Sequence, residues 1–372
     1  MSPHFPRFTL VPALLCFAGS AATLLPAAPR PVFFGGYAEQ IHGASFDPES
    51  GVLGEARPLQ ALPRASFLAR SADGHFLFAV SEVPEGSVHA YAIASDQTLS
   101  PINSRSSEGA SPCSLALSPD GRLLAVANYN GGSVIVFPVD TAGRLGERVF
   151  FSSFSHASRA VIKRQQKPHA HDVVWSPDGA RLFVCDLGGD RVYTFARDLA
   201  SDSLAAHAPQ PWLDLPPGTG PRHAAFSPDA RHLYLVNELD NTVAVLDHDA
   251  GTGVLRLVEK VSTLPPEGHP GGSSTAELAV HPAGHSVYAS NRGADTLTHF
   301  QRDPASGRLI AQNFVPVPAV PRHFSLSPDG GWLLSAGQKA GSVAVFAVDP
   351  GDGTLSPRGE PVPVPRPACV RF

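Results

Sequence analysis

A four-residue turn flanked by two apolar runs recurs six times in this chain. The copies are SADGHFLFAVSE from residue 71, SPDGRLLAVANY from 118, SPDGARLFVCDL from 176, SPDARHLYLVNE from 227, HPAGHSVYASNR from 281 and SPDGGWLLSAGQ from 327. They stand roughly 46 to 58 residues apart, the spacing of the blades of a β-propeller. A second pair of strand-like runs follows each copy, for example GSVHAYAI with QTLSP and NTVAVLDH with GVLRL. At the N-terminus VFFGGY, QIHGASFD and GVLGE form a further copy that lacks its first strand, whereas the C-terminal PACVRF is a first strand without the rest of its blade. The two ends complete each other. The sequence therefore predicts an all-β chain, with residues 29–372 forming a single seven-bladed propeller whose C-terminal strand closes the ring beside the N-terminal strands. A solenoid would need polar caps at both ends, and neither end has one.

Composition agrees. With 43% hydrophobic and 16% charged residues, the chain can bury a large core, and its 34 Gly and 37 Pro supply the turns that an all-β chain needs. The net charge of −5 comes with no basic stripe, which excludes nucleic acid as an expected partner and leaves a small molecule. The cysteines Cys16, Cys113, Cys185 and Cys369 each lack the close partner of a zinc site or a redox pair, so buried free thiols are expected. No metal or cofactor is expected, and a monomer is the default.

Residues 1–28 read as a secretory signal peptide: MSPHFPRF is weakly basic, TLVPALLCFAGSAATLL is apolar, and Ala21 and Ala22 offer a small-residue cleavage region. Leu15 is too large for a lipid-attachment site at Cys16. The mature protein is thus expected to be periplasmic or secreted; a leader that does not function would leave it cytoplasmic. No other segment is long and apolar enough to span a bilayer, so no membrane partner is expected after the leader is removed.

Two positions per repeat collect polar side chains. Five residues before the turn, where the first strand begins, stand Ser66, Cys113, His171, Arg222, Ala276 and Arg322; eight residues past it, where the second strand ends, stand Glu82, Tyr129, Leu187, Glu238, Arg292 and Gln338. The two strands run in opposite directions, so both positions lie at the end of the sheet away from the turn. In a propeller the first strand borders the central channel. His171, Arg222, Arg322, Glu82, Glu238 and Arg292 should therefore converge on one mouth of that channel, as a concave site with convergent polar groups. Each residue taken alone is as well explained as a strand cap. Lys163, Arg164 and Lys167, in the long connection before His169, are most simply read as solvated loop charges; covering the mouth is the alternative.

The stretches GASPCSLALSPDGRLLAVANYNGGSV, RQQKPHAHDVVWSPDGARLFVCDLGGDRVYTF, GTGPRHAAFSPDARHLYLVNELDNTV and VYASNRGADTL, in that order, resemble the lactonase family of seven-bladed propellers. That family includes enzymes of the bacterial 6-phosphogluconolactonase and fungal 3-carboxy-cis,cis-muconate lactonizing types, and the resemblance spans essentially the whole chain after the leader. It implies His171, Glu238, Arg222 and Arg292 as catalytic residues; their neighbours His169 and His223, and Arg322, Glu82 and Tyr129 from the repeat positions, are further candidates for substrate binding. His169 and His171, two apart, should share a strand face, but no third metal ligand accompanies them. The chain departs from the family in two ways: the leader sits poorly with a cytosolic phosphorylated substrate, and SHASRAVIKRQQK keeps the RQ pair without a glycine-rich lead-in.

The implied function is hydrolysis of an anionic lactone, related to a sugar acid. Water would attack the carbonyl with His171 or Glu238 as base, while Arg222 and Arg292 hold an anionic group and the developing oxyanion. No serine nucleophile elbow is present, so direct attack is favoured over an acyl-enzyme. The same residues suit the reverse cyclisation, and a non-catalytic exported binding propeller is the alternative from another class.

Overall fold

Each repeated turn is built by its own side chains. In the turn at Ser118, the Ser118 hydroxyl donates to Asp120 Oδ1 (2.6 Å) and accepts from the Leu123 amide (3.0 Å). The same pair of bonds forms at Ser71, Ser176, Ser227 and Ser327. The fourth residue is left-handed, which glycine adopts freely at Gly121 (φ +72°) and Ala230 tolerates at some strain (φ +58°). These turns set the register of the first two strands of their blades.

The computed structural model describes residues 29–372 together with Met1 and His4. The predicted signal peptide, with Cys16, lies outside the described residues. Among them no helix forms, and the strands make seven antiparallel sheets of four or five strands. The innermost strands of blades 1 to 7 are Pro367–Arg371, Leu68–Arg70, Pro112–Leu117, Ala170–Trp175, Pro221–Phe226, Ser274–Val280 and Pro321–Leu326. Blade 1 is closed as the sequence predicts: Arg30–Gly36 pairs antiparallel with Pro367–Arg371, Phe34 opposite Val370.

The core lies between blades. Phe33, Phe78 and Phe137, from blades 1, 2 and 3, are buried in one cluster, and Phe183, Leu235 and Leu246 join blades 4 and 5. Each such side chain contributes roughly 1.5–3 kcal/mol of burial free energy. Cys113, Cys185 and Cys369 are buried free thiols, as expected.

One irregularity decides what faces the channel. In blade 4 Ala170 pairs with Asp186 but Asp172 pairs with Cys185, so His171 is an extra residue in the ladder. The register slips at the same place at Cys113, Arg222, Arg322 and Ala368, and around Ala276 in blade 6. A β-bulge of this kind re-aims side chains. It lets two successive residues of the innermost strand make contacts around the channel where strict alternation would allow one, and it produces two stacked layers.

Candidate active site

The upper layer centres on Glu238, which follows the second strand of blade 5 and is buried. Its backbone N–H donates to the Gly220 carbonyl (2.7 Å), and the Gly220 amide donates to Asp190 Oδ1 (2.7 Å). Gly220 is left-handed (φ +66°), and a Cβ there would stand 2.4 Å from Leu239 Cγ, so this turn requires glycine. Glu238 Oε2 receives Arg222 Nε and Arg292 Nη2, each at 2.9 Å, while Oε1 receives Arg164 Nη2 at 2.5 Å. His171 Nε2 lies 4.0 Å from Oε2.

Protonation follows from this crowding. Burial pushes the Glu238 carboxyl up, but Arg292, Arg222, His171 and Arg164 outweigh it and hold the group well below the usual carboxylate range. It is a carboxylate locked between three guanidiniums. Burial, assisted by Arg222 and His223, pushes His171 well below the ordinary histidine value, so its imidazole is neutral at pH 7. Burial also lowers Arg292 to about 10, leaving it charged.

Arg164 arrives from the connection between blades 3 and 4, so the solvated-loop reading fails for this residue. Its neighbour Gln165 is fully buried: its Nε2 donates to the Leu187 carbonyl (2.9 Å) and to Asp190 Oδ1 (2.7 Å), and its Oε1 accepts from the Val161 amide (2.9 Å). The RQ pair thus divides its work: Gln165 pins the loop, and Arg164 reaches over the mouth to Glu238 and to the Tyr129 hydroxyl (3.2 Å). Lys167 donates to the Asn130 carbonyl. His169 precedes the innermost strand and stacks on the Tyr129 ring with centroids 4.3 Å apart, its Nδ1 3.0 Å from the Tyr129 carbonyl. The bulge therefore parts His169 from His171: the first forms the wall with Tyr129, and the second faces Glu238.

The lower layer is made by the residues one place further along the innermost strands, and sequence reasoning overlooked most of it. Ser114 donates to Asp172 Oδ1 (2.5 Å), whose Oδ2 accepts the Ala224 amide (3.0 Å). Glu277 Oε2 lies 2.9 Å from His223 Nδ1 and 3.1 Å from His323 Nε2, and Oε1 accepts the Leu278 amide. Arg222 Nη1 stands 3.1 Å from His223 Nε2 and can only donate, so His223 accepts there and carries its proton on Nδ1, towards Glu277. The Val370 amide donates to His323 Nδ1, placing that proton on Nε2, again towards Glu277. The Phe67 ring packs edge-on against both histidines at 5.5 Å. Reading the repeat at this second position, which gives Ser114, Asp172, His223, Glu277 and His323, would have found the layer.

Glu82 and Arg322 stand across the mouth with Tyr37, whose hydroxyl donates to Glu82 Oε2 (2.9 Å). Tyr37, Glu82, Cys113, His171, Arg222 and Arg322 enclose a cavity of about 10 Å³, room for roughly one water. A larger groove of about 410 Å³ lies among the turns of blades 2 and 3, but its carboxylates are already bonded, Asp73 to Ser71 and Asp120 to Arg197. All nine candidate residues from the sequence gather at the channel mouth, with His223 just beneath it, and this is the candidate site.

Known proteins carry the same architecture. The chain is 30% identical to a 6-phosphogluconolactonase of Bacillus subtilis over 341 residues, 91% of this chain and 95% of that one. It is 28% identical to a 6-phosphogluconolactonase of Formosa agariphila, over 85% of this chain and 90% of the other. The solved structure of a periplasmic gluconolactonase from Pseudomonas aeruginosa superimposes with a TM-score of 0.85 at 34% identity, covering 93% of this chain and 99% of that one. A sequence model of the seven-bladed β-propeller lactonases matches residues 31–372, and the chain belongs to that lactonase family.

Proposed function

We propose that the protein hydrolyses a sugar lactone at the channel mouth, with His171 as the general base. The observation that carries this reading is a neutral, buried imidazole 4.0 Å from a carboxylate that three guanidiniums hold ionised. Water attacks the lactone carbonyl carbon and gives a proton to His171. Negative charge passes to the carbonyl oxygen, where Arg222 and Arg292 stabilise it. The ring C–O bond then breaks, and the imidazolium returns the proton to the leaving alkoxide, giving the open hydroxy acid.

Glu238 is a poor base because its environment opposes protonation. It orients both arginines and stabilises the imidazolium as it forms. Arg164 must leave Glu238 for substrate to enter, so it acts as a movable cover. Hydrolysis is favoured over cyclisation because the relatives of defined activity are lactonases, and the complete set of ionisable residues favours catalysis over a binding role. We read residues 1–28 as an export leader, so that the reaction runs outside the cytoplasm; cell fractionation checks this.

The test is proton release from gluconolactone and its 6-phosphorylated form, measured above the spontaneous rate. Glu238→Gln and His171→Asn should each lower kcat/KM at least about 100-fold, roughly 2.7 kcal/mol of transition-state stabilisation. Unchanged turnover in His171→Asn would reject His171 as the base.

A further inference from the structure

Across the mouth from Glu238, three arginines from two further blades and a closing strand gather around one aromatic ring. The guanidinium carbons of Arg64, Arg322 and Arg366 lie 4.9, 5.2 and 6.0 Å from the centre of the Tyr37 ring. Tyr37 follows the second strand of blade 1, Arg30–Gly36, and is the counterpart of Glu82 and Glu238 in their blades. Burial pushes its hydroxyl up to about 12, so it stays a neutral phenol that donates to Glu82.

The charges there are not balanced. Arg64 reaches Glu82, with Nη2 3.8 Å from Oε1 and Nε on its carbonyl (2.7 Å). Among the described residues, no carboxylate oxygen comes within 4.0 Å of the Arg322 or Arg366 guanidinium. Arg322 nevertheless lines the small cavity that His171 and Arg222 share. Arg64 and Arg366 occupy left-handed backbone (φ +52° and +45°) just before the innermost strands of blades 2 and 1. Ser111, Gly220 and Val320 hold the same left-handed position before the innermost strands of blades 3, 5 and 7, so it belongs to the repeated turn that leads into these strands. Counting both sides of the mouth, six guanidiniums meet two carboxylates in a chain whose net charge is −5.

We propose that Arg64, Arg322 and Arg366 around Tyr37 form a second anion subsite, which holds a phosphate or carboxylate group that the substrate carries away from its lactone carbonyl. A neutral sugar lactone offers hydroxyl groups, and Arg322 and Arg366, with no carboxylate within 4.0 Å, are poorly matched to those. Their planar forks fit the paired oxygens of an anion. Arg222 and Arg292, engaged by Glu238, are left to the carbonyl. This inference rests on the lactonase reading, in that it assigns the two ends of one substrate to the two sides of the mouth.

The test separates the subsite from the catalysis. Calorimetric titration compares gluconate, 6-phosphogluconate and glucarate, which share a six-carbon chain but end in hydroxyl, phosphate or carboxylate. The wild-type protein should bind 6-phosphogluconate or glucarate at least tenfold more tightly than gluconate, and whichever is preferred names the anion. Arg322→Met, and separately the surface double variant Arg64→Gln with Arg366→Gln, should each reduce that preference at least fivefold. In hydrolysis, kcat/KM for the anionic lactone should fall at least tenfold more than for gluconolactone. The double variant carries the test if Arg322→Met does not fold. Equal binding of the three acids by the wild-type protein, or a preference that survives in the double variant, would overturn the subsite. A preserved binding preference without turnover of any lactone would instead refute the hydrolytic reading and leave the subsite standing.

Discussion

Replacing Glu277 by Gln tests whether the lower layer governs the upper one. The carboxylate accepts three hydrogen bonds, from His223 Nδ1–H and His323 Nε2–H on Oε2 and from the Leu278 amide on Oε1. A glutamine amide has one accepting oxygen and one donating nitrogen in that space. If its oxygen takes the place of Oε2, its NH₂ confronts the Leu278 N–H, and a buried donor goes unpaired at a cost of about 1–3 kcal/mol. If it takes the other orientation, both imidazoles must move their protons. His223 would then carry a proton on Nε2, directed at Arg222 Nη1 only 3.1 Å away, and Arg222 would lose the acceptor that helps to hold it.

Either route destabilises the fold by about 1–3 kcal/mol, read as a shift in the denaturant midpoint. The second route also disturbs the arginine proposed to face the oxyanion, so kcat should fall about 10- to 100-fold with a smaller change in KM. A purely structural role would lower stability without that split. The added readout is the ¹⁵N chemical shifts of the His223 ring, which distinguish a proton on Nδ1 from one on Nε2. If the shifts in Glu277→Gln show the His223 proton on Nε2 while kcat stays within twofold, the tautomer argument is wrong.

The remaining predictions concern protons and one turn. Because burial holds His171 well below its ordinary value of 6.5, the acid limb of kcat/KM should fall below pH 6.5; a midpoint at or above that value in a pH–rate profile would contradict a neutral buried base. His223 is depressed in the same way, and burial lowers His323 to about 3. The unfolded chain takes up protons at these sites from about pH 6.5 downwards while the folded chain does not. Stability should therefore fall as pH drops below that point, by about 1.4 kcal/mol per pH unit for each histidine, with Glu238 adding its loss only below 4.5; thermal melts from pH 7 to 4 measure it. Gly220→Ala places a Cβ in left-handed backbone and against Leu239, so it should cost about 2 kcal/mol or more and lower activity by displacing Glu238; wild-type stability in urea would show that the turn relaxes.

The propeller could be read from the sequence because its information is local and repeated: five Ser–Asp turns and one His turn at His281 each set the register of one blade. His171, Arg222, Glu238 and Arg292 followed from the same counting. Arg164 did not, since it belongs to a connection outside the repeat, and its place depends on Gln165 meeting Asp190 and the Leu187 carbonyl, residues about 25 positions away. Tyr37 escaped for the opposite reason. Blade 1 draws its innermost strand from the other end of the chain and has no turn from which to count.

Glu277, Asp172 and His323 were hidden by the bulge. Strict alternation assigns neighbouring residues of a strand to opposite faces, so a reading that points Arg322 at the channel points His323 at the next blade. In six of the seven blades an extra residue breaks that rule where the innermost strand enters the channel, and the bulge brings Arg222 and His223, Arg322 and His323, and His171 and Asp172 inwards as pairs. The pairing has a chemical consequence. An arginine cluster around a single carboxylate would repel itself apart unless each guanidinium had further acceptors fixed in place, and the lower layer supplies one in His223 Nε2, held in the accepting tautomer by Glu277. The channel interior is thus polar because the mouth is charged, and the bulge places the support directly beneath the groups it holds.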